Sequence, residues 1–294
     1  MPPTHAGLAE PIMDHDDAAP APRPGPVLDI HTHAFPDDLA ERAIAALEAH
    51  AVWFPCRATY DGTVASLLAS MDRAGIRRSV VANIATRPEQ TEKILAWSAA
   101  VASDRIVPLA SVHPDHTDPE GAVAAAAEAG LAGLKLHPYY MDCPADDARV
   151  VRIARAAARA DLVVLCHAGY DLSFEPSDVA APRRLRRLHE AVPDLRLIAA
   201  HLGGWEDWDE ARAHLVGRPI YLETSYTLGR CPQGLLEEIL SVHPPEYLLF
   251  GTDAPWRDQA ADLARLAALP IDEGLKRRML SENGHRLLGL AAEG

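Results

Sequence analysis

The stretch VLDIHTH, residues 27–33, is an apolar run that ends in two histidines spaced two residues apart. In an extended strand the side chains at i and i+2 share a face, so Asp29, His31 and His33 are expected to point the same way. Two imidazoles on one short stretch can grip one ion. An HxH pair alone is a weak signal, since histidine pairs also occur as ordinary core or surface residues. Its meaning depends on the polar residues that accompany it elsewhere in the chain.

Seven further β-branched or apolar runs succeed it: SVVANIA (79–85), IVPLASVH (106–113), GLKLH (133–137), LVVLCHAG (162–169), LRLIAAHLGG (195–204), IYLETS (220–225) and YLLFGTDAPW (247–256). They alternate with longer Ala-, Leu-, Arg- and Glu-rich segments, the βαβα pattern of a parallel sheet. Most run ends lie roughly 25 to 35 residues apart, the length of one β-loop-α-loop unit. Eight such units predict an α/β fold, a (β/α)8 TIM barrel. The competing doubly wound open sheet lacks its G-x-G-x-x-G turn after the first strand. The first excursion, Ala34 to Arg78, is longer and reads as an insertion of two helices and a WFPCRATYDGT loop. Over the barrel mouth it would help to shape a substrate site. The RRLRRLH run at 183–189 reads as a solvated helix face.

The chain has 294 residues, 48% hydrophobic, enough for one large core. A single domain over 26–294 is therefore expected, preceded by a disordered, flexible Pro/Ala-rich arm over 1–25 that carries no periodic apolar positions. With 28 basic against 42 acidic residues, a net charge of -14, most of the surface repels nucleic acid and anionic lipid. A local cation could still attract an anionic small molecule. The four cysteines form no CxxC pair, and no signal peptide or membrane-length apolar run is seen, which reads as a reduced, cytoplasmic protein.

Polar residues close several of the apolar runs. His167 follows LVVLC, His201 follows RLIAA and Asp253 follows LLFGT. Buried singly, each would be costly, whereas convergence on a shared partner removes that cost. The carboxyl ends of barrel strands face the mouth, where such enzymes do their chemistry, so His31, His33, His167, His201 and Asp253 are expected in one region. Lys135, in GLKLH, shares a face with His137. Buried among imidazoles and cations, it must lose its charge or find an anion. Either a carbamylated Lys135 bridging two ions or a protonated lysine paired with Asp253 or with substrate would satisfy it.

The motifs DIHTHAFPD, IATRPEQ, SVHPD, GLKLHP, CHAG, AHLGGW, ETS, FGTDAPW and LSENGHRLL, in this order, resemble the amidohydrolase superfamily, in its branch of amidohydrolase-related TIM-barrel metal-dependent hydrolases. The resemblance spans nearly the whole chain after Val27. It implies that His31 and His33 are first-strand ligands of the more buried metal and that His167 is the fifth-strand ligand. Asp253 would be a further ligand that takes a proton from the attacking water. His201 would be a second-metal ligand in a binuclear site, or a substrate-activating group in a mononuclear one. Lys135 matches the lysine that binuclear members carbamylate.

Nitrogen and carboxylate donors suit one or two divalent ions, with Zn2+ the best match. Substrate contacts are expected from Arg87, as a carboxylate clamp, and from His113, His137, Tyr139, Tyr170 and Trp256. Asp29 reads as buried support, and Trp205 and Trp208 as loop packing. The leading functional reading is hydrolysis of an amide, cyclic amide or lactone of a small molecule. Metal-dependent non-oxidative decarboxylation is the alternative. A catalytically silent binding protein would require a missing ligand position, and none is missing. Barrels of this kind often pair, which leaves a homodimer open.

Overall fold

Eight parallel strands are laid down in chain order: β1 (Val27–Thr32), β2 (Ile76–Val81), β3 (Ile106–Pro108), β4 (Gly133–Leu136), β5 (Val163–Cys166), β6 (Leu197–Ala199), β7 (Tyr221–Glu223) and β8 (Leu248–Leu249). The computed structural model describes residues 25–291, so nearly all of the arm expected over 1–25 lies outside the described residues. Regular pairing joins β1-β2-β3 and β4-β5-β6-β7-β8. Both seams are stitched. Lys135 N–H donates to Ala110 O at 2.7 Å, and Ile30 N–H donates to Phe250 O at 3.0 Å beside a Thr32–Ala254 bridge. The result is the closed (β/α)8 TIM barrel.

The period-2 rule sorts the strands into two surfaces. Leu28, Ile30, Val80, Leu109, Val163, Leu165 and Ile198 pack together with Leu287 as the barrel interior. Their neighbours Val164, Cys166, Leu197 and Ala199 face the helical shell. Local signals set that shell. The helix Val64–Ala74 starts where the Thr63 side chain accepts the Ser66 N–H, and it ends at Gly75, whose φ of 71° suits a residue without Cβ. Asp147 caps Ala148–Arg159, whose Val150, Ile153, Ala154 and Ala157 form the buried stripe.

The strands are shorter than the apolar runs that announced them. Residues 250–255 and 200–205 are buried, yet they lie past the ends of β8 and β6. Neighbouring loops cover them, so burial there reports the mouth and not a strand. β2 conversely begins three residues before the SVVANIA run. Arg77 and Arg78 reach out to Asp104 at the strand's foot, which gave that segment a polar look. The insertion folds as helices Asp37–His50 and Val64–Ala74. Its loop is tied over the mouth by Trp53 N–H to Leu172 O at 3.1 Å and Thr59 N–H to Pro255 O at 2.8 Å. The arginines of 183–189 stay on a surface helix face, where Arg184 and Arg187 share Asp146 and Arg183 meets Glu210.

Candidate metal centre and active site

At the mouth of the barrel, His33 Nε2 lies 3.0 Å and His31 Nε2 3.4 Å from Asp253 Oδ1. Lys135 Nζ is 2.9 Å from His31 Nε2, and His201 Nε2 is 3.0 Å from His167 Nδ1. All six groups line one cavity. The strand ends that deliver two of them adopt unusual backbone: His201 has φ 58° and Asp253 has φ 70°. Such left-handed non-glycine residues cost on the order of 1–3 kcal/mol and persist where the surroundings over-determine them.

Hydrogen bonds assign the imidazole protons. A carbonyl oxygen only accepts, so His167 Nε2–H donates to Tyr170 O at 2.8 Å, which leaves Nδ1 as a lone pair. His201 Nδ1–H is taken by Ser225 Oγ at 2.8 Å and Ser225 O at 3.1 Å, which leaves Nε2 as a lone pair. These two lone pairs face each other across 3.0 Å. His31 Nδ1–H points at Glu223 Oε1, 2.9 Å away, so its Nε2 lone pair also turns into the cavity. Lys135 Nζ faces the His31 lone pair and His33 faces the Asp253 carboxylate, but the His167 and His201 lone pairs repel each other unless a cation lies beside them. The donor set therefore fits a divalent metal, with nitrogen and carboxylate oxygen at hand. His31, His33 and Asp253 present donor atoms within 4.8 Å of one another, as do His31, His201 and Glu223, and His137, His167 and Asp171.

A family model described as Amidohydrolase matches residues 28–290. The chain belongs to the amidohydrolase family. It is thereby a member of an enzyme family whose members typically hold a divalent metal and act on small molecules. No curated protein matches it by sequence. Among solved structures, an uncharacterised TIM-barrel protein from Bordetella bronchiseptica superposes on this amidohydrolase with a TM-score of 0.71, at 19% identity over 90% of this chain and 98% of the other. The 5-carboxyvanillate decarboxylase from Sphingomonas paucimobilis gives 0.67 at 17% identity, covering 90% and 99%. A probable 2-pyrone-4,6-dicarboxylic acid hydrolase from Acinetobacter baumannii gives 0.64 at 17% identity, also covering 90% and 99%. At these identities the likeness is one of fold.

Burial sets the electrostatics of the amidohydrolase's mouth. It lowers His31 to about 4, with the Lys135 charge adding to the effect. It also lowers Lys135 and takes His137 and His167 well below the usual imidazole range. Burial would raise Asp253, but His31 and His33 outweigh it and hold the carboxyl well below its ordinary value. Burial likewise works against Glu223, yet the His31 charge and its hydrogen bond keep that acid at about 2. His31, His137 and His167 are thus held neutral and Asp253 and Glu223 ionised, the forms that bind metals.

The expected substrate contacts divide. His137, Tyr170 and Trp256 line the cavity. Arg87, His113 and Tyr139 are not among its lining residues. Arg87 is exposed at the start of a short 3-10 turn. His113 Nδ1 accepts the Asp115 N–H, and the Tyr139 hydroxyl donates to Ser177 O at 2.9 Å. Both residues shape loops, and His113 is followed directly by Pro114. Asp29 differs from the strand reading. The register of β1 on β2 shifts between Asp29 and Thr32, so alternation does not carry through to His31. The Asp29 carboxylate is held by Thr252 Oγ1 at 2.6 Å and Gln259 Nε2 at 2.9 Å, away from the histidine cluster. Trp205 packs edge-on against Phe54 and also lines the cavity.

Sequence reasoning gave no role to Glu223, Ser225, Asn83 or Asp171. Asn83, Asp171 and the aromatic ring of Tyr140 line the cavity, and Asp171 Oδ2 lies 3.4 Å from His137 Nε2. The signal for Glu223 was present. It closes the apolar run IYL as His167 closes LVVLC, and the same burial argument applies to it.

Proposed function

We propose that this amidohydrolase is a single-domain, zinc-dependent hydrolase that opens an amide, cyclic amide or lactone bond of a small molecule. The facing lone pairs of His167 Nδ1 and His201 Nε2, beside His31, His33 and Asp253, carry the reading. A divalent ion held there acidifies water and polarises a carbonyl oxygen. Asp253 Oδ1, ionised and exposed to the cavity, accepts the proton of the attacking water and returns it to the leaving nitrogen or oxygen. His201 Nε2 faces the same space, as a ligand in a binuclear site or as the group that hydrogen-bonds the developing oxyanion. Burial favours the neutral amine of Lys135, the form that can add carbon dioxide, and this supports a carbamylated bridge and a two-metal site. Four unpaired cysteines suit a cytoplasmic setting.

One observation favours a second reading, non-oxidative decarboxylation. Phe35, Leu47, Ile84 and Leu172 give the cavity an apolar wall suited to a carbon ring. Turnover of lactone, cyclic amide and ring-carboxylate panels in 18O-labelled water with Zn2+ supplied separates the two. Hydrolysis places one labelled oxygen in the product. Release of carbon dioxide with a solvent hydrogen on the ring carbon, and no label, rejects hydrolysis. Failure of the purified chain to bind any divalent metal rejects both.

A further inference from the structure

We infer that Glu223, with Ser225, is the positioning residue that fixes the proton arrangement of two metal-facing imidazoles at once. The inference rests on the metal-dependent reading above and concerns residues outside the proposed ligand set.

Glu223 sits at the end of β7 with no solvent exposure. Its Oε1 accepts from His31 Nδ1–H at 2.9 Å, His201 backbone N–H at 3.0 Å and Ser225 Oγ–H at 2.7 Å. Its Oε2 accepts from Ser225 N–H at 2.6 Å. Ser225 Oγ, having given its proton to Glu223, can only accept from His201 Nδ1. One carboxylate therefore dictates Nδ1–H on His31 directly and, through the serine hydroxyl, reinforces the Nδ1–H of His201 that Ser225 O also accepts at 3.1 Å. Both Nε2 lone pairs are aimed inward as a consequence. The same acid holds the N–H of His201, where φ is 58°, so it also secures the turn that brings this ring to the mouth. Outer carboxylates of this kind orient metal-binding imidazoles and strengthen them as donors.

A second, independent observation is the room made for this carboxylate. A Cβ on Gly251, just past β8, would lie 2.4 Å from Glu223 Oε2 and 3.2 Å from His31 Cβ. The glycine is required by close approach of the carboxylate, not by its own backbone angles. Gly251→Ala therefore pushes the carboxylate off His31 while keeping its charge. Glu223→Gln keeps the shape but turns an amide NH2 toward groups that are all donors.

The test uses the full chain stripped of metal, with Zn2+ alone as probe. Chelator-competition titration should show Zn2+ affinity weakened about 10- to 100-fold in Glu223→Gln, with less loss in Gly251→Ala. Occupancy at saturation should stay the same. Imidazole 15N shifts of the metal-free protein should show His31 and His201 as Nδ1–H in the parent chain and, in Glu223→Gln, mixed tautomers at His31 with a smaller change at His201, which keeps Ser225 O. Ser225→Ala removes the Oγ that lies 2.8 Å from His201 Nδ1 and 3.1 Å from His31 Nδ1, so it should disturb His201 more than His31, which keeps Glu223. This keeps the inference open to test if the Gln variant does not fold. Unchanged affinity and tautomers with a lowered melting temperature reduce Glu223 to a structural role and overturn the inference. Loss of one equivalent of Zn2+ at saturation makes Glu223 a ligand and overturns it too. A parent chain that binds no Zn2+ rejects the proposed function instead, while the tautomer readout still judges Glu223.

Discussion

The two sides of the barrel mouth are built differently. On the side of β1, β6, β7 and β8, the ring protons of His31 and His201 have fixed acceptors, and Asp253 is gripped by His33 at 3.0 Å. On the side of β4 and β5, His137 Nδ1 has no partner although it is buried, and its Nε2 stands 3.4 Å from Asp171. His137 stacks on His167 at 4.0 Å with 15° between the rings. An array with every proton assigned is prepared before anything binds, which is what a metal site requires. A buried nitrogen left without a partner costs free energy until a ligand or a shifted neighbour supplies one. We therefore propose that His167 and Lys135 serve the metal with the first side, and that His137 and Asp171 accommodate substrate.

Asp253, on the first side, carries the largest expected effect. Asp253→Asn should keep much of its metal and lose turnover by about 10²- to 10⁴-fold, the range of general acid–base catalysis. Saturated turnover measured beside metal content checks this, and near-normal turnover removes Asp253 from proton transfer. The next effect is on stability against pH in the metal-stripped chain. His31 is lowered by burial to about 4, so between 6.5 and 4 the unfolded chain holds the extra proton. Stability present above pH 6.5 should fall as pH falls toward 4. Glu223, held at about 2, adds a further loss from 4.5 downward. Asp29, raised to about 7 by burial, slopes the other way over this range, so urea melts of the parent chain are set against His31→Asn, and equal pH slopes in the two contradict the neutral His31. The smallest effect belongs to the other side. Asp171→Asn should raise KM by roughly threefold to tenfold with saturated turnover and metal content held, the pattern of a group that binds ground and transition states alike. An equal fall in turnover would move Asp171 into the chemistry.

Much of the fold was legible because strand and helix periods differ and each polar residue ended an apolar run. His31, His33, His167, His201 and Asp253 could be grouped without coordinates, since strand ends of a barrel converge. Arg87, His113 and Tyr139 were read as mouth residues because their loops follow strand ends, yet those loops turn them elsewhere. Their side chains follow turn geometry, which strand alternation does not describe. Asp29 is the buried support it was read as, but it does not share a face with His31, because the register of β1 shifts between them.

The order of residues by itself determined the barrel, its eight units and the set of strand-end donors, because periodicity and burial cost are local properties of the chain. Only the tertiary structure decided which nitrogen of each imidazole faces the cavity. For His31 and His201 that choice depends on acceptors at and just past the end of another strand, Glu223 and Ser225, and for His167 on the turn after its own strand that brings Tyr170 O to the ring. Hydrogen-bond direction is a property of residues brought together by folding, and no spacing along the chain encodes it.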